Sequence, residues 1–161
     1  MAVNKNGEEI ISHASGKLGV DITAPMTLDS IFWIASCTKM IGGIACMQLV
    51  EQGKLGLDDA ELAEKLCPEL KAVKILKGFD GDGKPVLEEK KNSITLRMLL
   101  SHTAGFGYTF FNPELKRFGR PVGLDEFSGR VEDVCGPLLF EPGTKFNYGV
   151  SQMPVSSGLA V

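Results

Sequence analysis

The sequence has few of the residues that mark metal-binding, nucleic-acid-binding, secreted or membrane-spanning proteins. Its 161 residues include two histidines and four cysteines, and the cysteines (Cys37, Cys46, Cys67 and Cys135) form no CxxC pair. A structural zinc site needs about four closely spaced ligands, so none is expected, and no cofactor motif stands in for one. Lys and Arg total 17 against 20 Asp and Glu, a net charge of −3. This leaves no basic footprint for nucleic acid or an anionic membrane surface. No apolar run approaches the ~18 residues that a spanning helix needs. The longest, Met40 to Val50, is short and contains Gly42 and Gly43. Met1-Ala2-Val3-Asn4-Lys5-Asn6-Gly7-Glu8 has neither an apolar core nor a small-residue cleavage site, so it does not read as a secretory signal. Reduced thiols in a cytoplasmic compartment are then the expectation. The 19 glycines follow no period, which excludes collagen and simple repeats.

Hydrophobic residues make up 43% of the chain and charged residues 23%. That is globular composition, and the length suits a single domain. Val3 to about Val20 reads as strand–turn–strand, with Asn6-Gly7 as a type I′ hairpin turn. Thr23-Ala24-Pro25 reads as a loop. Ser36 opens a helix whose apolar positions Met40, Ile41, Ile44, Met47 and Val50 recur at helical spacing, and Gly53 stops it. Gly42 and Gly43 inside that helix each cost up to ~1 kcal/mol against Ala, which predicts close packing there. A second helical stretch runs from Leu57 to about Cys67, before Pro68. Asp80-Gly81-Asp82-Gly83-Lys84 begins like a calcium loop, but Lys91 stands where the bidentate Glu belongs, so it reads as a surface turn. Ile94 to His102 reads as a short amphipathic helix, and His102 as a structural residue at its end. A loop-rich stretch with Pro113, Gly119, Pro121 and Gly123 follows, then a helix over Leu124 to Cys135. Glu141-Pro142-Gly143-Thr144 is a turn, and Ser151 to Val161 shows no recognisable element.

Ser36-Cys37-Thr38-Lys39 is the tetrad with chemical potential. At a helix start, positions i and i+3 share a face, so a hydroxyl and an amine can meet. A serine is a weak nucleophile until a base takes its proton. A lysine whose pKa is lowered by burial can be that base, and the helix N-terminus favours negative charge at the serine oxygen. The bland alternative is an N-cap serine beside a solvated lysine, and a chain this long contains about one such tetrad by chance. Tyr148, close after Lys145, can share a proton with a lysine, or can be a packed aromatic with a bonded hydroxyl. Cys37 reads as a packed small residue.

The pairing of Ser36-x-x-Lys39 with Pro142-Gly143-Thr144-x-Phe146-x-Tyr148 resembles the serine β-lactamase-related superfamily. That group spans class C β-lactamases, D-alanyl-D-alanine carboxypeptidases, and esterases or transesterases. Phe32 to Lys39, Gln48 to Leu55, Leu99 to Gly105 and Phe140 to Thr144 support the resemblance in the family's order. It implies an α/β (α+β type) β-lactamase/transpeptidase-like fold, an antiparallel sheet flanked by helices with a helical lobe. Ser36 then resembles the acylated nucleophile, at the foot of the central helix and facing Tyr148. Lys39 resembles its activating base and Tyr148 the residue that moves the proton. The implied function is a cofactor-free serine hydrolase or acyltransferase acting on esters, thioesters or amides of small molecules. The alternative is a catalytically incomplete fragment or binding module of the same fold.

Two departures shape that expectation. The Tyr148-Gly149-Val150-Ser151 form looks closer to fungal esterase and acyltransferase members than to β-lactamases. The family's third motif, a Lys-Thr-Gly or His-x-Gly on a late strand, does not occur after Tyr148. The chain therefore reads as one partial domain, incomplete at both ends. It divides into strands and nucleophile helix (1–56), helical lobe (57–139), and tyrosine motif with an atypical tail (140–161). Uncovered strand edges and apolar faces would leave it poorly soluble and weakly active by itself.

Overall fold

The computed structural model describes residues 1–128 and 130–151. The chain forms two compact units, Met1–Ser36 and Cys37–Val161.

The first unit is built of two hairpins. Strands β1 (Ala2–Val3) and β2 (Glu9–Ile11) pair antiparallel with Val3 opposite Glu9. Their connection differs from the expected type I′ turn. Gly7 alone takes a positive φ, 83°, and the turn is closed by Gly7 N–H donating to Asn4 O at 3.0 Å. The Asn4 side chain organises it, accepting the Asn6 and Glu8 N–H groups at Oδ1. Asn4, two residues before the Asn6-Gly7 pair and in the same turn, thus serves as a backbone mimic. Strands β3 (Lys17–Gly19) and β4 (Ile22–Pro25) form the second hairpin. Thr23 to Pro25, expected to be a loop, is therefore strand. Pro25 is tolerated because it ends the strand. The apolar run after it stays open to solvent, with Ile31, Phe32, Trp33 and Ile34 all exposed.

A 3-10 turn over Ala35–Cys37 precedes helix α1 (Thr38–Glu51), so Ser36 lies in that turn and Cys37 is the N-cap. At the other end Gly53 takes φ 69°, and Lys54 N–H reaches back to Leu49 O at 2.9 Å. That is the stop its glycine predicts. The expected close packing at Gly42 and Gly43 is not seen: among the described residues nothing lies within 4 Å of a Cβ at either. Cys46 is the only residue of α1 that is buried, while Met40, Ile41, Ile44 and Met47 are exposed.

Helix α2 (Ala60–Leu66) is capped by Asp59, whose carboxylate accepts the Leu62 N–H at 2.9 Å. Pro68 ends it and starts the short helix α3 (Glu69–Ala72). A hairpin then interrupts the expected helical lobe, β5 (Lys74–Phe79) with β6 (Pro85–Glu89). Its tip is the surface turn at Asp80, whose Oδ1 accepts the N–H groups of Asp82 and Lys84. On the other side β5 takes a parallel bridge to Leu138, with Leu76 N–H on Leu138 O at 2.8 Å. Helix α4 (Leu96–Leu100) begins at Thr95, which caps the Met98 N–H.

Helix α5 (Pro113–Val122) replaces the expected loop-rich stretch. Its breakers sit where a helix accepts them: Asn112 caps Glu114 and Leu115, Pro113 stands in the first turn, and Gly123 closes the end at φ 68°. The Leu124 to Cys135 helix shrinks in turn to α6 (Val131–Val134). Asp125 and Ser128 use their side chains to hold turns there instead, on the N–H groups of Phe127 and Arg130. Leu70, Ile75, Ile94, Leu99, Phe106 and Leu138 lie at the centre of the second unit's core. The core therefore draws on α3, β5, α4 and the loops that follow them. From residue 152 onward the expected featureless tail lies outside the described residues.

Candidate active site

Two chain segments after α4 build the site. The first, 102–108, leaves the helix through His102 at φ 57° and passes Gly105 at φ 103°. A side chain at Gly105 would bring Cβ within 2.7 Å of Phe140 O. The second segment, 146–150, runs against the first. Asn147 N–H donates to His102 O at 2.9 Å, and Asn147 Nδ2 to Phe106 O at 3.0 Å. Gly149 lies so close to the first segment that a Cβ would sit 2.6 Å from Phe106 O and 2.7 Å from Gly107 Cα. The glycine after Tyr148 is thus demanded by backbone packing, and it holds Tyr148 beside Tyr108.

Lys39, in the first turn of α1, reaches these tyrosines. Its Nζ donates to Tyr108 Oη at 3.2 Å and lies 5.2 Å from the Tyr148 ring centroid. The two rings are 5.9 Å apart. Burial pulls the Lys39 pKa down, but the hydrogen bonds and charges of Tyr108 and Tyr148 outweigh it, and the ammonium is held above its ordinary range. Burial thus acts in the expected direction, but the expected lowering of the pKa does not result, because two phenolic oxygens favour the charged form more than partial desolvation opposes it.

His102 is buried and packs 4.7 Å from the Tyr148 ring. Burial, then the Lys39 charge, depress its pKa. The neutral ring accepts the Gly149 N–H at Nδ1, 3.4 Å away, leaving its own proton on Nε2. His102 therefore positions the segment that carries Tyr148. Beyond Tyr108 the rings continue outward, with Phe110 stacked at 4.7 Å and Phe127 on Phe110 at 5.9 Å. Phe110, Phe111 and Phe127 are all exposed.

Of the three residues expected from sequence, the second unit brings Lys39 and Tyr148 together. Ser36 is the last residue of the first unit and is exposed, and Ala35 before it takes an unusual φ of 43°. Sequence reasoning missed Tyr108. The chain has only two tyrosines, and Gly105-Phe106-Gly107-Tyr108 directly follows the His-Thr-Ala turn; that glycine density was the available signal. Among the described residues no helix is long and apolar enough to cross a membrane.

Residues 1–154 match the Beta-lactamase family. Acyltransferase mokF of Monascus pilosus is 37% identical over 130 residues, which cover 79% of this chain and 31% of that protein. Lovastatin esterase of Penicillium rubens is 38% identical over 128 residues, 78% of this chain and 32% of the relative. Among solved structures, unliganded simvastatin synthase (LovD) of Aspergillus terreus superposes with a TM-score of 0.73 at 31% identity, covering 86% of this chain and 36% of that one. EstCE1, a hydrolase with promiscuous acyltransferase activity, gives 0.71 at 27% identity, over 97% and 39%. The chain spans about a third of the length of the curated relatives it matches. By this match over nearly its whole length and by its fold, the chain belongs to the Beta-lactamase family, alongside fungal acyltransferases and esterases.

Proposed function

We propose that this chain carries the nucleophile and proton-transfer residues of a serine acyltransferase or esterase. The observation that supports it best is the Lys39 ammonium held on the oxygens of Tyr108 and Tyr148. Ser36, three residues before Lys39 at the helix start, is the nucleophile in this reading. Lys39 and Tyr148 act as one proton-sharing pair. In the reactive form of this reading the pair is one proton short, a Tyr148 phenolate beside the Lys39 ammonium, and the Tyr148 oxygen accepts the Ser36 proton. Ser36 Oγ attacks the acyl carbonyl as Tyr148 takes its proton. The bond to the leaving alcohol or thiol then breaks, and that group departs with the proton. Water or an acceptor alcohol reverses the sequence and frees Ser36. The ammonium supports charge developing on the tyrosine oxygen throughout. The exposed Phe110, Phe111 and Phe127 form an apolar wall beside Tyr108, suited to the hydrocarbon part of a small acyl donor or acceptor.

One observation favours the alternative of a catalytically incomplete chain: the Met40, Ile41, Ile44 and Met47 side chains of α1 are open to solvent. A helix so apolar normally packs on more structure than surrounds it here.

A serine-directed fluorophosphonate separates the two. Intact mass should show one adduct on the parent chain and none on Ser36→Ala. Folded protein without an adduct, or an adduct retained by Ser36→Ala, would overturn the acyl-serine reading.

A further inference from the structure

Glu126 lies between α5 and α6 and is buried, at 5% exposure. Its carboxylate takes both donors of one residue, the Thr109 N–H on Oε1 and the Thr109 hydroxyl on Oε2 at 3.1 Å. Among the described residues no lysine or arginine forms an ion pair with it. A buried carboxylate is costly unless its hydrogen bonds are made, and here Thr109 makes them. The cavity beside it, about 20 Å³, is walled mainly by apolar side chains such as Phe106, Leu115 and Phe118. Solvent therefore does little to weaken the two bonds. Asp133 also lines that cavity, and Ser128 and Arg130 engage it. Thr109 directly follows Tyr108, whose Oη receives the Lys39 ammonium. Before Tyr108 the chain is fastened to distant segments, by Leu139 N–H on Gly105 O at 2.8 Å and Asn147 Nδ2 on Phe106 O at 3.0 Å. After Tyr108, its carbonyl accepts the Phe111 and Asn112 N–H groups, both within the same turn. The hydrogen bonds that fasten this side of Tyr108 to another segment are those of Glu126.

We propose that Glu126 is a positioning residue of the site, which by holding Thr109 sets where the Tyr108 hydroxyl meets Lys39. Its catalytic meaning rests on the acyl-transfer reading above, whereas its geometric effect rests on the Thr109 contacts alone. Two bonds to one residue, one from the backbone and one from the side chain, fix both its place and its rotation. Consecutive Cα atoms stand ~3.8 Å apart, so the constraint passes directly to Tyr108. Without it the turn is free to carry the phenol away from Lys39, while Tyr148 and His102 still face the ammonium. The role is geometric and does not need the charge. A glutamine keeps the shape, since its carbonyl accepts the Thr109 N–H and its amide donates to the Thr109 hydroxyl oxygen.

The test follows the Lys39 titration by NMR in the full chain with isotope-labelled lysine, the resonance assigned with Lys39→Met. The fluorophosphonate labelling rate is read in parallel. Glu126→Ala should move the Lys39 titration to lower pH, because the Tyr108 bond is among the causes that raise it. It should also slow labelling severalfold. Glu126→Gln should return both readouts to those of the parent. In a Tyr108→Phe background, Glu126→Ala should move Lys39 no further, since the hydroxyl it positions is already gone. A general loosening of the fold would still move it there, so a shift kept in that background overturns the proposal. An unmoved Lys39 in Glu126→Ala, or no rescue by Glu126→Gln, overturns it equally. If Glu126→Ala does not fold, Glu126→Asp carries the test with the same charge one methylene shorter: a smaller shift in the same direction is expected, and none would refute the role. A parent chain that takes up no fluorophosphonate would sink the acyl-serine reading alone, and the Lys39 titrations would still decide for or against Glu126.

Discussion

Gly149→Ala should damage both the fold and the proposed chemistry, and the structure sets the size of the effect. The added Cβ would stand 2.6 Å from Phe106 O, 2.7 Å from Gly107 Cα and 2.8 Å from Phe106 C. All three are backbone atoms, so no side-chain rotation relieves the clash. The two segments must part, which weakens the Gly149 N–H bond to His102 and the Asn147 bonds to His102 and Phe106. Overpacking of this kind costs about 1–3 kcal/mol. For a chain of this size each kcal/mol moves the melting temperature by about 2–4 °C, so a fall of roughly 2–12 °C is expected. Tyr148 moves with the segment, and a ~1 Å displacement of a reacting group costs on the order of 100-fold in rate. Gly42→Ala is the control. Nothing lies within 4 Å of its Cβ, and it sits inside α1, so helix propensity alone applies. That substitution should gain ~1 kcal/mol and raise the melting temperature by a few degrees. Urea and thermal unfolding, with the rate of fluorophosphonate labelling, read both variants. Equal stability and labelling for Gly149→Ala and the parent would refute the claim that backbone contact at Gly149 holds the site.

Three further outcomes follow from the same cluster. The folded-state pKa of His102 is depressed below its ordinary 6.5, so its contribution to stability is complete above that pH and is lost as pH falls through the folded value. Urea unfolding across this range should show that acid-side loss in the parent and not in His102→Gln. Lys39→Met removes the second cause of the depression, so the His102 ring resonances in an NMR titration should move to higher pH; an unmoved titration would contradict the contact. Tyr108→Phe deletes the 3.2 Å acceptor of Lys39 and one of the causes that raise its pKa. The alkaline limb of the labelling rate should then shift to lower pH, and an unshifted limb would place the ammonium elsewhere.

Local signals in the sequence were legible where one residue satisfies one backbone need. Gly53 ends α1, Asp80 holds its turn, and Gly143 takes φ 82° in the turn before Phe146. They misled where several breakers serve one element. Pro113, Gly119, Pro121 and Gly123 read as loop, although Pro113 stands in the first turn of α5, Gly123 closes it and Asn112 supplies its cap, and the helix carries Pro121 within its last turn. Thr23-Ala24-Pro25 read as loop because a proline at a strand end looks the same in sequence as a proline in a turn.

The sequence by itself determined the family resemblance, the Lys39 spacing from Ser36, and the pairing of that tetrad with Tyr148. These are order and spacing along one chain, and short-range geometry follows from them. Only the tertiary structure decided that Tyr108 joins Lys39 and that Lys39 is held charged. It alone showed that Gly149 is required by a passing backbone. Each of those depends on segments distant in sequence meeting in space, where burial and neighbouring oxygens act on a group with opposite sign, and composition and period carry no record of which prevails.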